Sequence, residues 1–362
     1  MDLSAAVAVS QCADRIERGC RLRAELVEAG SAAQWARRRA GGQQRRLPGF
    51  AEPSSPGVFD RFRAQSVCPV PWESAGYPAG LRHLAQPPPV LFVRGSSEPL
   101  PAPVRCVALV GARRCTELGR LVARDLAAAL ARAGVVVVSG LAMGIDAAAH
   151  EGALDAGGQT IAVLASPVDD PTPRCNGILA DEILSAGSWL VSERPPSASV
   201  RPADFPRRNR LVAALVSALV VVEAGLSSGT WTTVGHALQL GIDVGAVPGP
   251  VTSLASRGAN ELLRRGAQVV TSADDILAMC RGPGSLAHPA PGAPDSLLVG
   301  DGDLSVDERS LLRGLPGGSG GAGQWLSASG LGPVRGQAAL CRLLSRGVLR
   351  RLSGGRIARV LG

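Results

Sequence analysis

From about Tyr77 onward, apolar positions alternate between two patterns. Val90 to Val93, Val107 to Val110, Val135 to Val138, Thr160 to Leu164, Trp189 to Ser192, Ala218 to Val222, Val244 to Val247 and Gln268 to Val270 are short and nearly continuous in apolar character, which predicts strands covered on both faces. Between them lie stretches with helical spacing. Glu117 to Arg132 places Leu118, Leu121, Val122, Leu126 and Leu130 on one face. Further helices are predicted from Asp146, over Asn176 to Ala186, over Asn209 to Val216 and over Thr230 to Leu240. Continuous strands separated by amphipathic helices predict an α/β fold: a Rossmann-like, doubly wound, mostly parallel sheet over residues 75–281. Ligands of such sheets sit at the carboxyl ends of the strands.

The flanks are patterned differently. Residues 1–74 are arginine-rich with one weak helical stretch near Ala13 to Ala29, a small helical region. Residues 282–303 are rich in Pro, Gly, Ala and Ser and read as a linker. In residues 304–362, helical stretches at Val306 to Leu315, Gln324 to Ser329 and Pro333 to Ser345 precede two short strands, Val348 to Leu352 and Arg356 to Val360, joined by Ser353-Gly354-Gly355. Three small helices and a hairpin predict a winged-helix domain.

Composition narrows the chemistry. The chain has 362 residues, 46% hydrophobic and 19% charged, with a formal net charge of +8. All 38 Lys and Arg positions are arginine. Without lysine there is neither a phosphate-binding P-loop nor a Schiff-base amine. The positive excess points to an anionic partner. The eight cysteines are scattered with no CxxC pair, which argues against zinc and for reduced thiols in the cytoplasm. The amino terminus does not read as a signal peptide, and no apolar run is long enough to span a bilayer, so no membrane is expected.

Four stretches carry candidate chemistry. Gly111-Ala112-Arg113-Arg114 ends a strand and reads as an anion cradle or as a plain tight turn. Ser139-Gly140-Leu141-Ala142-Met143-Gly144-Ile145-Asp146 is a glycine-rich strand-to-helix turn; it lacks GxGxxG, and no acid ends the next strand to hold a ribose, so NAD is not expected and no cofactor is. Phe205-Pro206-Arg207-Arg208-Asn209-Arg210 sets arginine forks beside an aromatic ring ahead of a helix that Asn209 could cap. The forks suit phosphate and the ring suits an unpaired base; alternatively Phe205 is core and the arginines pair with acids such as Glu223. Glu223 to Thr230 runs strand, loop and helix start, with Ser228, Gly229 and Thr230 able to donate to an oxyanion and Glu223 favoured as an arginine partner over a catalytic acid. The four histidines are dispersed, and no Ser/His/Asp spacing stands out.

Together these stretches resemble the bacterial DNA-processing protein A (Smf) family. The resemblance covers about Tyr77 to Met279. It runs in order through VALVGARRCTELG, SGLAMGIDAAAH, GGQTIAVL, FPRRNR, VVVEAGLSSGT, AVPGPV and SRGANELLRRGA. It implies a non-enzymatic protein that binds single-stranded DNA, forms a homodimer and helps load the strand-exchange recombinase RecA during natural transformation. Carried over by position, the DNA contacts are Arg113, Ser139, Gly140, Phe205, Arg208, Asn209 and Arg210, with Ser228, Gly229 and Thr230 lining the same pocket. Arg201 stands where the family has a basic residue ahead of the FP motif. The chain departs from the family pattern at Pro167, Thr172 and Ile242.

Two other classes compete. One is a nucleoside-monophosphate phosphoribohydrolase of the lysine-decarboxylase-like type, which requires a carboxylate directly after its glycine-threonine turn; here Trp231, Thr232 and Thr233 follow. The other is a duplex-DNA regulator acting through Arg335, Arg342, Arg346, Arg350 and Arg351 of the winged helix.

Overall fold

A computed structural model describes residues 66–280, 304–313, 319–345, 348–351 and 356–359. The helix expected near Ala13 to Ala29 and the linker at 282–303 lie outside the described residues.

The apolar runs form one sheet. Its strands are β1 (Val67–Pro71), β2 (Val90–Gly95), β3 (Cys106–Gly111), β4 (Val136–Ser139), β5 (Thr160–Leu164), β6 (Trp189–Ser192), β7 (Ala218–Glu223), β8 (Asp243–Ala246) and β9 (Gln268–Val269). They are ordered β1-β2-β6-β5-β4-β3-β7-β8-β9. From β6 to β9 all neighbours are parallel, whereas β2 runs antiparallel to β6 and β1 antiparallel to β2. Strand β1 was not expected, and it extends the sheet upstream of residue 75. Two prolines and a mixed burial pattern hide it in the sequence; such a strand is tolerated at a sheet edge.

The helices are α1 (Ala79–Arg82), α2 (Glu117–Arg132), α3 (Ile145–Asp155), α4 (Gly177–Ser185), α5 (Asp204–Ala214), α6 (Thr230–Gln239), α7 (Arg257–Arg264) and α8 (Ala273–Cys280). Side chains alternate along β3. Cys106, Ala108 and Val110 join the core beneath α5, α6 and α7, with Leu211, Val234 and Leu262. Val107 and Leu109 join the core beneath α2, α3 and α8, with Leu126, Ala149 and Ile276. Both faces of β3 are therefore buried, as its continuous apolar run requires.

The sheet grows in one direction from β3 through β4, β5 and β6, then resumes on the other side of β3 with β7. That reversal leaves a crevice outside the carboxyl ends of β3 and β7, where ligands of open α/β sheets bind.

The carboxyl-terminal domain contains α9 (Val306–Arg313), α10 (Ala322–Ala328) and α11 (Pro333–Ser345), with β11 (Leu349–Arg351) paired to β12 (Arg356–Arg359). A third strand, β10 (Ser319–Gly321), pairs with β12 and was not expected from its serine and glycines. Leu311, Leu340, Leu343, Leu349 and Ile357 fill its core.

Candidate nucleic-acid interface

At the switch point lies an open cleft of about 850 Å³. Three walls meet there: the turn after β3, the turn after β4, and the turn after β7 with one face of α5.

The β3 turn is set by glycine. A Cβ on Gly111 would lie 2.6 Å from Ile145 Cγ1 and 2.7 Å from the Glu223 carbonyl oxygen. Ala112 N–H donates to that same carbonyl at 2.7 Å. Glu223 itself was expected to pair with an arginine, and among the described residues it pairs with none. Its carboxylate accepts from Thr116 N at 2.6 Å and from Thr116 Oγ1 at 2.8 Å, at the N-terminus of α2. Thr116 Oγ1 in turn accepts from Gly119 N at 3.0 Å. A carboxylate facing the positive end of a helix is favourable, and the bare Gly119 leaves room for it. Glu223→Ala is expected to lower stability by about 1–3 kcal/mol, because a part-buried N–H loses its partner; thermal melts of the purified protein check it. Beyond this turn Arg113 and Arg114 are exposed and line the cleft.

The β4 turn is held tightly. Leu141 adopts φ 56° and Gly144 φ 84°, both left-handed. Gly140 N–H donates to Asp146 Oδ2 at 3.1 Å. Asn176 Nδ2 donates to the Leu141 carbonyl at 2.9 Å. Burial pushes the Asp146 carboxyl up, opposed by the Arg208 charge and by the amides of Gly140 and Ala142.

Helix α5 begins at Asp204, so FPRRNR forms its first two turns instead of preceding it, and Asn209 is not its cap. Pro206 is tolerated because a first-turn N–H has no intrahelical partner. Asp204 suits the helix N-terminus and ties it down, accepting from Arg201 N at 2.8 Å and lying 3.7 Å from Arg194. Helical spacing divides the motif. Phe205, Arg208, Asn209 and Val212 (i, i+3, i+4, i+7) line the cleft. Arg207 and Arg210 turn away and pair with Glu193, Arg207 at 3.2 Å. The Arg113 guanidinium stacks 5.2 Å from the centre of the Phe205 ring, joining the first wall to the third. Asn209 Nδ2 donates to Thr232 Oγ1 at 2.6 Å, which fixes α5 against α6.

The β7 turn supplies Gly225, Ser227, Ser228, Gly229 and Thr230. Ser228 Oγ lies 2.8 Å from Thr230 Oγ1 and accepts from Thr230 N at 3.2 Å, at the amino end of α6 that borders the cleft.

Of the expected contacts, the structure brings Arg113, Gly140, Phe205, Arg208, Asn209, Ser228, Gly229 and Thr230 to one cleft. It does not bring Ser139, Arg201 or Arg210. Ser139 is buried and donates to the Leu109 carbonyl at 2.7 Å. Arg201 lies beside Asp204 at 3.7 Å. Arg210 is buried against Glu193. Glu193 was missed; its signal was its place just past the end of β6, at the same rim as the other turns. Basic residues of the carboxyl-terminal helices and strands are also paired: Arg335 with Asp307 at 3.0 Å, Arg342 with Glu308 at 3.2 Å and Arg350 with Asp125 of α2 at 3.3 Å. The side chains of Arg346 and Arg351 lie outside the described residues.

Residues 69–281 match the DNA recombination-mediator protein A family. The chain belongs to that family. A putative DNA processing protein DprA of Mycobacterium tuberculosis is 47% identical over 247 residues, 67% of this chain and 61% of that relative. The chain thus spans about six tenths of the length of that relative. Among solved structures, the DNA processing protein A of Streptococcus pneumoniae aligns with a TM-score of 0.55 at 28% identity, covering 76% of this chain and 92% of that one. The DNA processing protein A of Helicobacter pylori, described by its unique single-stranded DNA binding mode, aligns with a TM-score of 0.53 at 30% identity, covering 59% and 94%. Both share the Rossmann-like domain that the apolar runs predicted. Among the described residues, no helix is long and apolar enough to cross a membrane.

Proposed function

We propose that the cleft binds single-stranded DNA without cutting it, and that the protein hands the strand to a RecA-type recombinase during natural transformation, acting as a homodimer as the family resemblance implies. One observation carries the DNA reading: the exposed Arg113 guanidinium stacked on the Phe205 ring at the mouth of a cleft floored by backbone turns. A cation beside an aromatic face suits a phosphate followed by an unpaired base. The amino end of α6, which borders the cleft, adds the positive end of a helix dipole as a second anion-favouring element. The relative from Helicobacter pylori, whose described property is binding of single strands, supports the same assignment. The carboxylate that lines the cleft, Asp146, is engaged by Gly140 N–H and lies beside Arg208, which supports binding over hydrolysis.

Fluorescence anisotropy with labelled oligo-dT tests this. The protein is expected to bind the single strand more tightly than a duplex of equal length. Phe205→Ala should weaken single-strand binding by about 5- to 150-fold, the range of losing one stacked base. If oligo-dT does not bind, or Arg113→Ala and Phe205→Ala both bind as the parent does, the assignment is wrong.

A further inference from the structure

Arg208 lines the cleft, yet it is only 5% exposed. Its Nη1 donates to the Gly140 carbonyl at 2.6 Å and also to the Val163 carbonyl of β5. Its Nε donates to Asn209 Oδ1 at 3.3 Å. The guanidinium lies flat against Gly140, where any Cβ would collide with it. Asp146 faces it electrostatically, and burial is the main force opposing its charge. A buried cation persists only when hydrogen-bonded and paired. Arg208 therefore joins α5, the end of β4, the end of β5 and the first turn of α3. Arg113, by contrast, is exposed and stacked on Phe205, one helical turn before Arg208.

We infer that Arg208 is a positioning residue for strand binding: it clamps the Gly140 turn to β5 and thereby fixes the face of α5 that presents Phe205 to Arg113, while the phosphate contacts are made by Arg113 and the neighbouring turns. The inference rests on the cleft being the DNA site. It divides labour within one arginine-rich motif: Arg207 and Arg210 hold α5 to Glu193, Arg208 holds the β4 turn, and the grip belongs to an arginine from a different segment.

The salt dependence of binding separates a clamp from a phosphate ligand. For a single strand, each neutralised phosphate contributes about −0.7 to the slope of log affinity against log salt. Oligo-dT affinity is measured at several salt concentrations for the parent, Arg113→Ala, Arg208→Lys, Arg208→Gln and Asp146→Asn, with thermal melts as the control for folding. Arg113→Ala is expected to weaken binding and to flatten the slope by about 0.7. Arg208→Gln is expected to weaken binding about tenfold or more and leave the slope unchanged. Arg208→Lys should lose nearly as much, since an ammonium has neither the Nε donor to Asn209 nor the flat guanidinium face that packs on Gly140. Asp146→Asn decides by sign. If Arg208 were a phosphate ligand, removing a neighbouring negative charge would tighten binding; a clamp that loses its counter-charge weakens it.

A flattened slope in Arg208→Gln, near-parental binding by Arg208→Lys, or tightened or unchanged binding by Asp146→Asn overturns the inference and leaves the DNA site standing. Unchanged affinity and slope in Arg113→Ala also overturns the inference, which gives the grip to that residue; only if Phe205→Ala binds as the parent does as well does the site itself fall. Should Arg208→Gln fail to fold, Arg208→Lys and Asp146→Asn decide by the same criteria.

Discussion

Gly140→Ala is expected to lower stability by about 2–4 kcal/mol and to remove most single-strand binding. The new methyl group would enter the space occupied by the Arg208 guanidinium. That group is not the loose end of a surface side chain. It is held by the carbonyls of Gly140 and Val163 and faces Asp146. Either it moves and leaves buried polar groups unpaired, or the turn moves and Asp146 loses its amide. Overpacking costs about 1–3 kcal/mol, and breaking a buried pair costs about 3–5 kcal/mol; partial relaxation brings the sum to the range given. For a sheet domain of this size that corresponds to a drop in Tm of about 5–15 °C. The matched control is Gly235→Ala on the exposed side of α6, where a Cβ meets nothing within 4 Å. There the same change should raise stability by about 1 kcal/mol, because glycine is a poor helix residue. Equal effects at the two glycines would show that the guanidinium is not fixed.

The second large effect is an acid limb. His150 sits on α3 one turn beyond Asp146 and is fully buried. Its Nδ1 lies 2.7 Å from Thr160 Oγ1. Burial, with the nearby Arg208 charge adding to it, holds the imidazole down at about 3 from an ordinary 6.5. The native protein therefore keeps this ring neutral, while the unfolded chain protonates it below about pH 6.5. Between those values the unfolded state binds more protons, so stability falls as pH falls, by about 1.4 kcal/mol per pH unit. Asp146, whose carboxyl is pushed up by burial, acts in the opposite sense. The difference between parent and His150→Gln isolates the imidazole. Denaturant titrations at pH 7.5, 6 and 5 should show the parent losing stability faster than His150→Gln. Parallel losses would show that His150 is free to take up a proton in the folded protein.

The sheet and the rim were legible from the chain because both are local signals. Continuous apolar runs marked β2 to β9, and a turn of glycines and polar residues followed each of β3, β4 and β7. What was hidden depended on partners far apart in sequence. FPRRNR shows three arginines, but only helical phase and the acids opposite them decide which face the cleft. The sequence placed the start of α5 five residues late, because Pro206 and the dense charge obscured a helix that tolerates both in its first turn. Glu193 and Thr116 carry no motif of their own; each acquires its role from a strand end that the fold brings beside it. Strand β1 was missed because its two prolines fit only an edge.

The position of β3 has a consequence during synthesis. Val107 pairs with Val137 on one side and with Ala218 on the other, so the second neighbour emerges about 110 residues after the first strand, roughly 5–20 s later on a ribosome. For that interval the β7-facing flank of an apolar strand stands open, a template for unwanted pairing with other nascent chains. A holdase chaperone that shields this flank should raise the yield of full-length protein, and a chain stalled before Ala218 should aggregate without it.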